Sequence, residues 1–169
     1  MDIMTAIKTR RSIRYFTEEQ IDEKILNTIL EAASCAPSAH NKRPWHFVVI
    51  REKDELSRIS KIEKYHRPIG RAACCIVVCG DKNIQEVHDL LVNDCSAAIE
   101  NLLLASHGLG LGAVWCGVIP DSNVYKYLIE NLQLPVEIAP MGLIALGHPK
   151  EEMNAVERLN MSKIHYEKW

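Results

Sequence analysis

A chain of 169 residues, 47% hydrophobic and 25% charged, has the length and usage of one globular domain with a substantial core. Its formal net charge of -2 argues against broad electrostatic binding to nucleic acid or an anionic membrane, while leaving room for a local basic cluster to take a phosphate. The opening Met1-Asp2-Ile3-Met4 has no basic stretch ahead of a long apolar one, and the six cysteines form no Cys-x-x-Cys pair, so a cytoplasmic, reduced protein is expected rather than a secreted disulfide framework or a zinc site.

Asp2 is placed to cap a first helix with Ile3, Ala6 and Ile7 on one face. Directly after it, Arg10-Arg11-Ser12-Ile13-Arg14 puts three arginines and a serine into five residues. Guanidinium forks, a hydroxyl and backbone N–H groups are what a phosphate requires, and the same run also suits a solvated basic helix end. Thr17 to Gln20 reads as a capping box opening a second helix, whose apolar stripe runs through Ile21, Ile25, Ile29 and Ala32-Ala33 until Pro37 ends it. The polar loop from Ala36 to Trp45 follows; its small and amide side chains suit either an ordinary turn or the polar edge of a planar ligand. Pro44 to Ile50 reads as a strand, and Asp54 as the start of a short helix carrying Leu56 and Ile59. Ala72 to Cys79 is a continuous apolar run, fit for a strand buried on both faces.

A long helix is expected from Val92 to His107, with Cys95, Ile99, Leu102, Leu103 and Ser106 inside and Gly108 as its cap. Asn101 to Pro120 lacks Asp, Glu, Lys and Arg, but its four glycines with Asn101, Ser106 and His107 make it a buried helix end, a turn and a strand rather than a membrane span. Gly108-Leu109-Gly110-Leu111-Gly112 follows a helix, whereas a dinucleotide fingerprint must follow a strand. Leu111 to Val118 is a strand in which Gly117 lets a flat ring approach the backbone, and Cys116 reads as a buried thiol with no sequence neighbour to activate it. Asp121 caps a helix bearing Val124, Leu128 and Leu132, stopped by Pro135. Ala139 to Gly147 is the last buried strand, with Gly147 offering a second close approach. The tail from His148 is charged yet carries Ile164, Tyr166 and Trp169, which points to packing on something, a second subunit included; within it Arg158 is a candidate second cation for a phosphate. A Gly-x-Ser-x-Gly elbow, a Walker loop and a His-Glu-x-x-His motif are all missing, so chemistry carried by a bound cofactor fits best.

Taken in order, Arg10-Arg11-Ser12-Ile13-Arg14-Tyr15-Phe16, then Ala36-Pro37-Ser38 with Asn41 and Pro44-Trp45, then Asp94 through Leu104 with Gly108-Leu109-Gly110 and Val114-Trp115-Cys116-Gly117, then Ala145-Leu146-Gly147-His148-Pro149 and the final Ile164-His165-Tyr166-Glu167-Lys168-Trp169 resemble the FMN-dependent nitroreductase family nearly end to end. The resemblance implies an α+β fold in three α-β-α layers around a mixed, mostly antiparallel sheet. It implies a single domain over 1–169 and a domain-swapped homodimer in which 148–169 pack on the partner. FMN would lie at the interface. Arg10, Ser12 and Arg158 would serve its phosphate end, with Arg11 contributing its backbone, and Arg14 would stand at the N1/O2 edge, where positive charge favours the reduced anionic flavin. The backbone of Cys116 and Gly117 would face N5, Gly147 would lie close by, and Pro37, Ser38 and Asn41 would come from the other chain. NADH or NADPH would reduce FMN, and a nitroaromatic, quinone or similar small acceptor would leave with the electrons in a ping-pong cycle. No catalytic side chain, metal, nucleic acid or membrane is implied. Arg43 departs from the pattern, since the family usually has Gln before Pro-Trp; Arg43 is expected to raise the flavin potential or favour an anionic acceptor. Reductive dehalogenation, flavin fragmentation and flavin binding with little turnover are the alternatives on the same fold.

Overall fold

The apolar run at 72–79 sets the centre of the molecule. In the computed structural model, which describes residues 1–169, its part from Cys74 onward forms most of β2 (Cys74–Asp81), buried at every residue from Cys74 to Gly80. A strand buried on both faces and central in its sheet needs partners on both edges. They are β1 (Trp45–Ile50) and β4 (Ile138–Gly147), and β3 (Gly112–Gly117) lies beyond β4, giving the order β1-β2-β4-β3. All three pairings are antiparallel. The parallel component expected of a mixed sheet is confined to one bridge, Ser12 to Ala113, and that bridge docks the arginine segment on the outer edge of β3.

Side chains on β2 alternate between two apolar clusters. Cys74, Ile76 and Val78 pack with Leu26, Ile29, Ile99 and Leu102, under α2 (Glu23–Ser34) and α4 (His88–Gly108). Cys75, Val77 and Cys79 pack the other way with Leu56, Ile59, Val124 and Leu128, under α3 (Lys53–Ile62) and α5 (Asn123–Asn131). Helices on both faces of one sheet make the three layers.

Several helix starts depart from expectation, one of them because tertiary pairing takes the segment. The Thr17–Gln20 segment opens no helix, because Phe16 bridges to Pro149 and Thr17 N–H donates to His148 O at 2.9 Å. Asp22 caps α2 instead, its Oδ1 accepting from Lys24 N at 2.8 Å. Ser122 rather than Asp121 caps α5, leaving Asp121 at φ 62°. The α3 helix begins at Lys53 without a side-chain cap, and α4 begins at His88, a turn earlier than expected. The left-handed residue after α4 is Gly110, at φ 79°, rather than Gly108. In α1 (Ile3–Thr9), capped by Asp2 as expected, only Ala6 is buried; Ile3, Met4 and Ile7 are exposed.

Candidate functional site

Beyond α1 the chain runs extended along β3, and Ile13 N–H donates to Ala113 O at 3.0 Å. Ile13 packs on Gly112, where a Cβ would stand 2.7 Å from Ile13 Cγ2. Arg11 is buried at 8% exposure. Its Nε donates to Asn154 O at 3.0 Å, and its Nη1 to Lys8 O at 3.1 Å and Arg10 O at 2.6 Å. Its Nη2 has no partner. The resemblance gives the Arg11 side chain no role; in the structure its guanidinium ties the end of α1 to the start of the tail. Lys8, Arg10, Arg11 and Arg158 line one cavity of about 750 Å³, in which Glu157 is the only carboxylate. The local field is felt by His107, whose imidazole is held below its ordinary value by burial first and then by Arg10 and Arg11. Four cations against one carboxylate, with a buried Nη2 lacking an acceptor, fit a phosphate. Arg10 is otherwise held only loosely, with Nε 3.5 Å from Glu100 Oε1.

Arg14 parts from Arg10. Its backbone N–H donates to Glu151 Oε1 at 2.6 Å, and its Nη1 to Ser12 O at 3.2 Å. Its charge reaches Cys116, whose thiol is pushed up to about 11 by burial and drawn back only partly by Arg14. A thiol so buried and protonated is no nucleophile at neutral pH. Ala113 accepts from Ile13 on the outer edge of β3, so strand alternation aims the N–H and C=O groups of Trp115 and Gly117 outward too. The Gly117 carbonyl lies 3.0 Å from Nε2 of His66, which is 1% exposed in the turn Lys64–Arg71. His66 Nδ1 has no hydrogen bond and lies 3.9 Å from Glu63 Oε2. A Cβ on Gly117 would meet nothing within 4 Å, so open space lies over the sheet face at this end of β3. Gly147 differs: a Cβ there would stand 2.9 Å from Phe16 Cδ1. The close approach expected at Gly147 is made by Phe16, not left open to a ligand.

The loop after α2 is held rigidly. Asp94, buried in α4, accepts from Ala39 N at 2.8 Å and from Gln85 Nε2 at 3.4 Å. Ser38 Oγ accepts from Arg43 N, and Asn41 Oδ1 from Arg43 Nε, both at 2.9 Å. His40, Asn41 and Arg43 sit at φ 53°, 56° and 50°, a strained run that these bonds stabilise. Pro37, Asn41 and Arg43 are exposed and Ser38 is half-buried. None of the four, nor Ser12 or Gly147, lines the Arg10 cavity within one chain. His66, Asp94, Glu151 and His107 are the positioning residues that sequence reasoning missed as such. Only Asp94 carried a signal, as the one charged residue on the inner side of its helix. No group of three or more His, Cys, Asp or Glu is arranged to hold a metal, and no helix is long and apolar enough to cross a membrane.

The sequence profile of the nitroreductase family matches residues 7–68 and 63–148. A Methanothermobacter thermautotrophicus protein, provisionally named NADH dehydrogenase/NAD(P)H nitroreductase, is 40% identical over 169 residues, covering 100% of this chain and 88% of its own. An FMN-dependent nitroreductase from Clostridium difficile superposes with TM-score 0.89 at 30% identity, covering 98% of this chain and 99% of the other. A provisionally named nitroreductase from Desulfovibrio desulfuricans, solved in complex with FMN, superposes with TM-score 0.86 at 30% identity over 100% of this chain and 98% of the other. Profile, sequence and structure agree with the site geometry: this chain belongs to the nitroreductase family.

Proposed function

We propose that the protein is an FMN-dependent NAD(P)H oxidoreductase that passes electrons to nitroaromatic, quinone or similar small acceptors. The observation that carries this reading is the basic cavity of Arg10, Arg11 and Arg158 at one end of the docked arginine segment, with open space over Gly117 at the other. FMN, when bound, supplies the chemistry: a hydride taken at N5 from the dinucleotide and electrons returned to the acceptor. The chain's own residues bind and orient. Arg10 and Arg158 hold the phosphate, Arg11 fixes the cavity wall, and Ser12 serves the adjoining polyol through its extended backbone. Arg14 places positive charge toward the ring edge, favouring negative charge there. His66 holds the Gly117 carbonyl, which leaves the N–H groups of β3 free on the edge offered to the ring. Two relatives matched over 88% and 99% of their own length carry NAD(P)H nitroreductase names, which does not favour dehalogenation or flavin fragmentation.

The homodimer belongs to the same proposal. Met153, Val156, Leu159, Met161, Ile164, Tyr166 and Trp169 are all exposed along the tail, as are Ile3, Met4 and Ile7 on α1. Apolar surface of that extent marks a protein interface. A swapped tail would cover it and bring Pro37, Ser38, Asn41 and Arg43 of the partner over the flavin, making 1–169 one functional unit. The cytoplasm fits six free cysteines.

The test is turnover. Purified protein loaded with FMN should oxidise NADH or NADPH faster when nitrofurazone or menadione is added. Failure of both acceptors to accelerate oxidation by either donor would overturn the catalytic reading.

A further inference from the structure

A second basic hollow, of about 250 Å³, stands apart from the Arg10 cavity. Four cations line it, Arg14, Lys64, Arg67 and Arg71, together with Tyr15 and Tyr65, and no carboxylate does. Lys64 Nζ lies 4.8 Å from the centre of the Tyr65 ring, and Arg71 Cζ 4.8 Å from that of Tyr15, so two of the cations are held on aromatic faces. Arg67 is exposed and joins no ion pair. The neighbouring carboxylates are turned elsewhere: Glu63 faces His66, and Glu151 accepts from the backbone N–H groups of Arg14 and Tyr15. Lys64, Arg67 and Arg71 belong to the turn whose His66 holds the Gly117 carbonyl, so the hollow flanks the open end of β3. In a chain of net charge -2, four cations gathered without a counter-ion repel one another and attract an anion from outside.

We infer that this hollow receives the oxyanion group of a substrate standing at the flavin face, either a phosphate of the dinucleotide donor or a carboxylate on an aromatic acceptor. The inference rests on the flavin reading above and adds Lys64 and Arg67 as specificity-determining residues. Arg67 presents a planar fork to the oxyanion, Lys64 adds a point charge, and the tyrosine rings offer flat apolar surface to the rest of the substrate. A neutral acceptor makes no use of the two cations.

The experiment titrates oxidised, FMN-loaded protein with NADP+, 4-nitrobenzoate and neutral methyl 4-nitrobenzoate, following the flavin absorbance band. It compares wild type with Lys64→Gln, Arg67→Gln and the double variant, at two positions to which the flavin reading gives no FMN contact. The double variant should weaken at least one anionic ligand by roughly tenfold, as expected for loss of charge-assisted bonds, while the ester binds unchanged and FMN is retained. Loss for NADP+ assigns the hollow to the donor; loss for 4-nitrobenzoate assigns it to the acceptor. Unchanged affinity for both anions, or an equal loss for the ester, overturns the inference. Wild-type protein that takes up no FMN overturns the flavin reading, and this inference with it.

Discussion

Arg10 and Arg11 are adjacent, yet they do different work. Arg10 points into the cavity with only a 3.5 Å contact to Glu100, whereas Arg11 is spent on three backbone carbonyls. Arg10→Ala should therefore leave folding intact and weaken FMN binding by about 1.5–3 kcal/mol, read by flavin fluorescence quenching. Gly147→Val should leave the cavity untouched and cost about 1–3 kcal/mol of stability by forcing Phe16 from its place, read from the urea midpoint. His107 gives a pH signature. Its folded value is depressed by burial and by Arg10 and Arg11, so the unfolded chain binds its proton first. Stability present above the ordinary value, near 6.5, should fall as pH drops from there through the depressed folded value, and His107→Gln should flatten that slope. Phosphate bound among the same arginines should raise the His107 midpoint, as followed by NMR. The basic cluster was legible because three arginines within five residues gather positive charge whatever the fold. The roles of Arg11 and Gly147 were not, because they depend on Asn154 and Phe16, each remote along the chain.

At the scale of elements, the strands and α4 could be read directly, since a continuous apolar run such as Cys74–Cys79 has few ways to be buried. Helix starts could not. Thr17 and Asp22 are both acceptable caps, and the choice is made by the pairing of Phe16 and Thr17 with the chain beyond β4. The loop from Ser38 to Arg43 shows the same dependence: its composition announces a turn, but its left-handed backbone is fixed by Asp94, fifty-five residues from Ala39. Asp94→Ala should leave the Ala39 N–H without its acceptor and cost about 1–3 kcal/mol. Amide exchange at Ala39 should accelerate while that in β2 changes only with global stability.

At the scale of the whole molecule, one chain provides half of what the proposal needs. The basic cavity and the edge of β3 lie within it, but the Pro37–Arg43 loop does not line that cavity, and the tail lies exposed with Trp169 wholly uncovered. The exposed aromatics of the tail were legible as packing elements from sequence; what they pack on was implied only by the family resemblance. Sedimentation should give twice the chain mass. Truncation after Glu151 should remove Arg158 and the swapped surface together, yielding monomer that has lost FMN; a truncated chain that remains a yellow dimer would contradict the arrangement.

The most direct measurement of the central claim is the anaerobic absorbance titration of the purified protein with NADH and with NADPH. The account predicts a yellow protein with one flavin per chain, released as FMN on denaturation, whose flavin band bleaches stoichiometrically with at least one of the two donors and returns on adding nitrofurazone or menadione. A protein that stays colourless after incubation with FMN, or a bound flavin that neither donor bleaches, would contradict it.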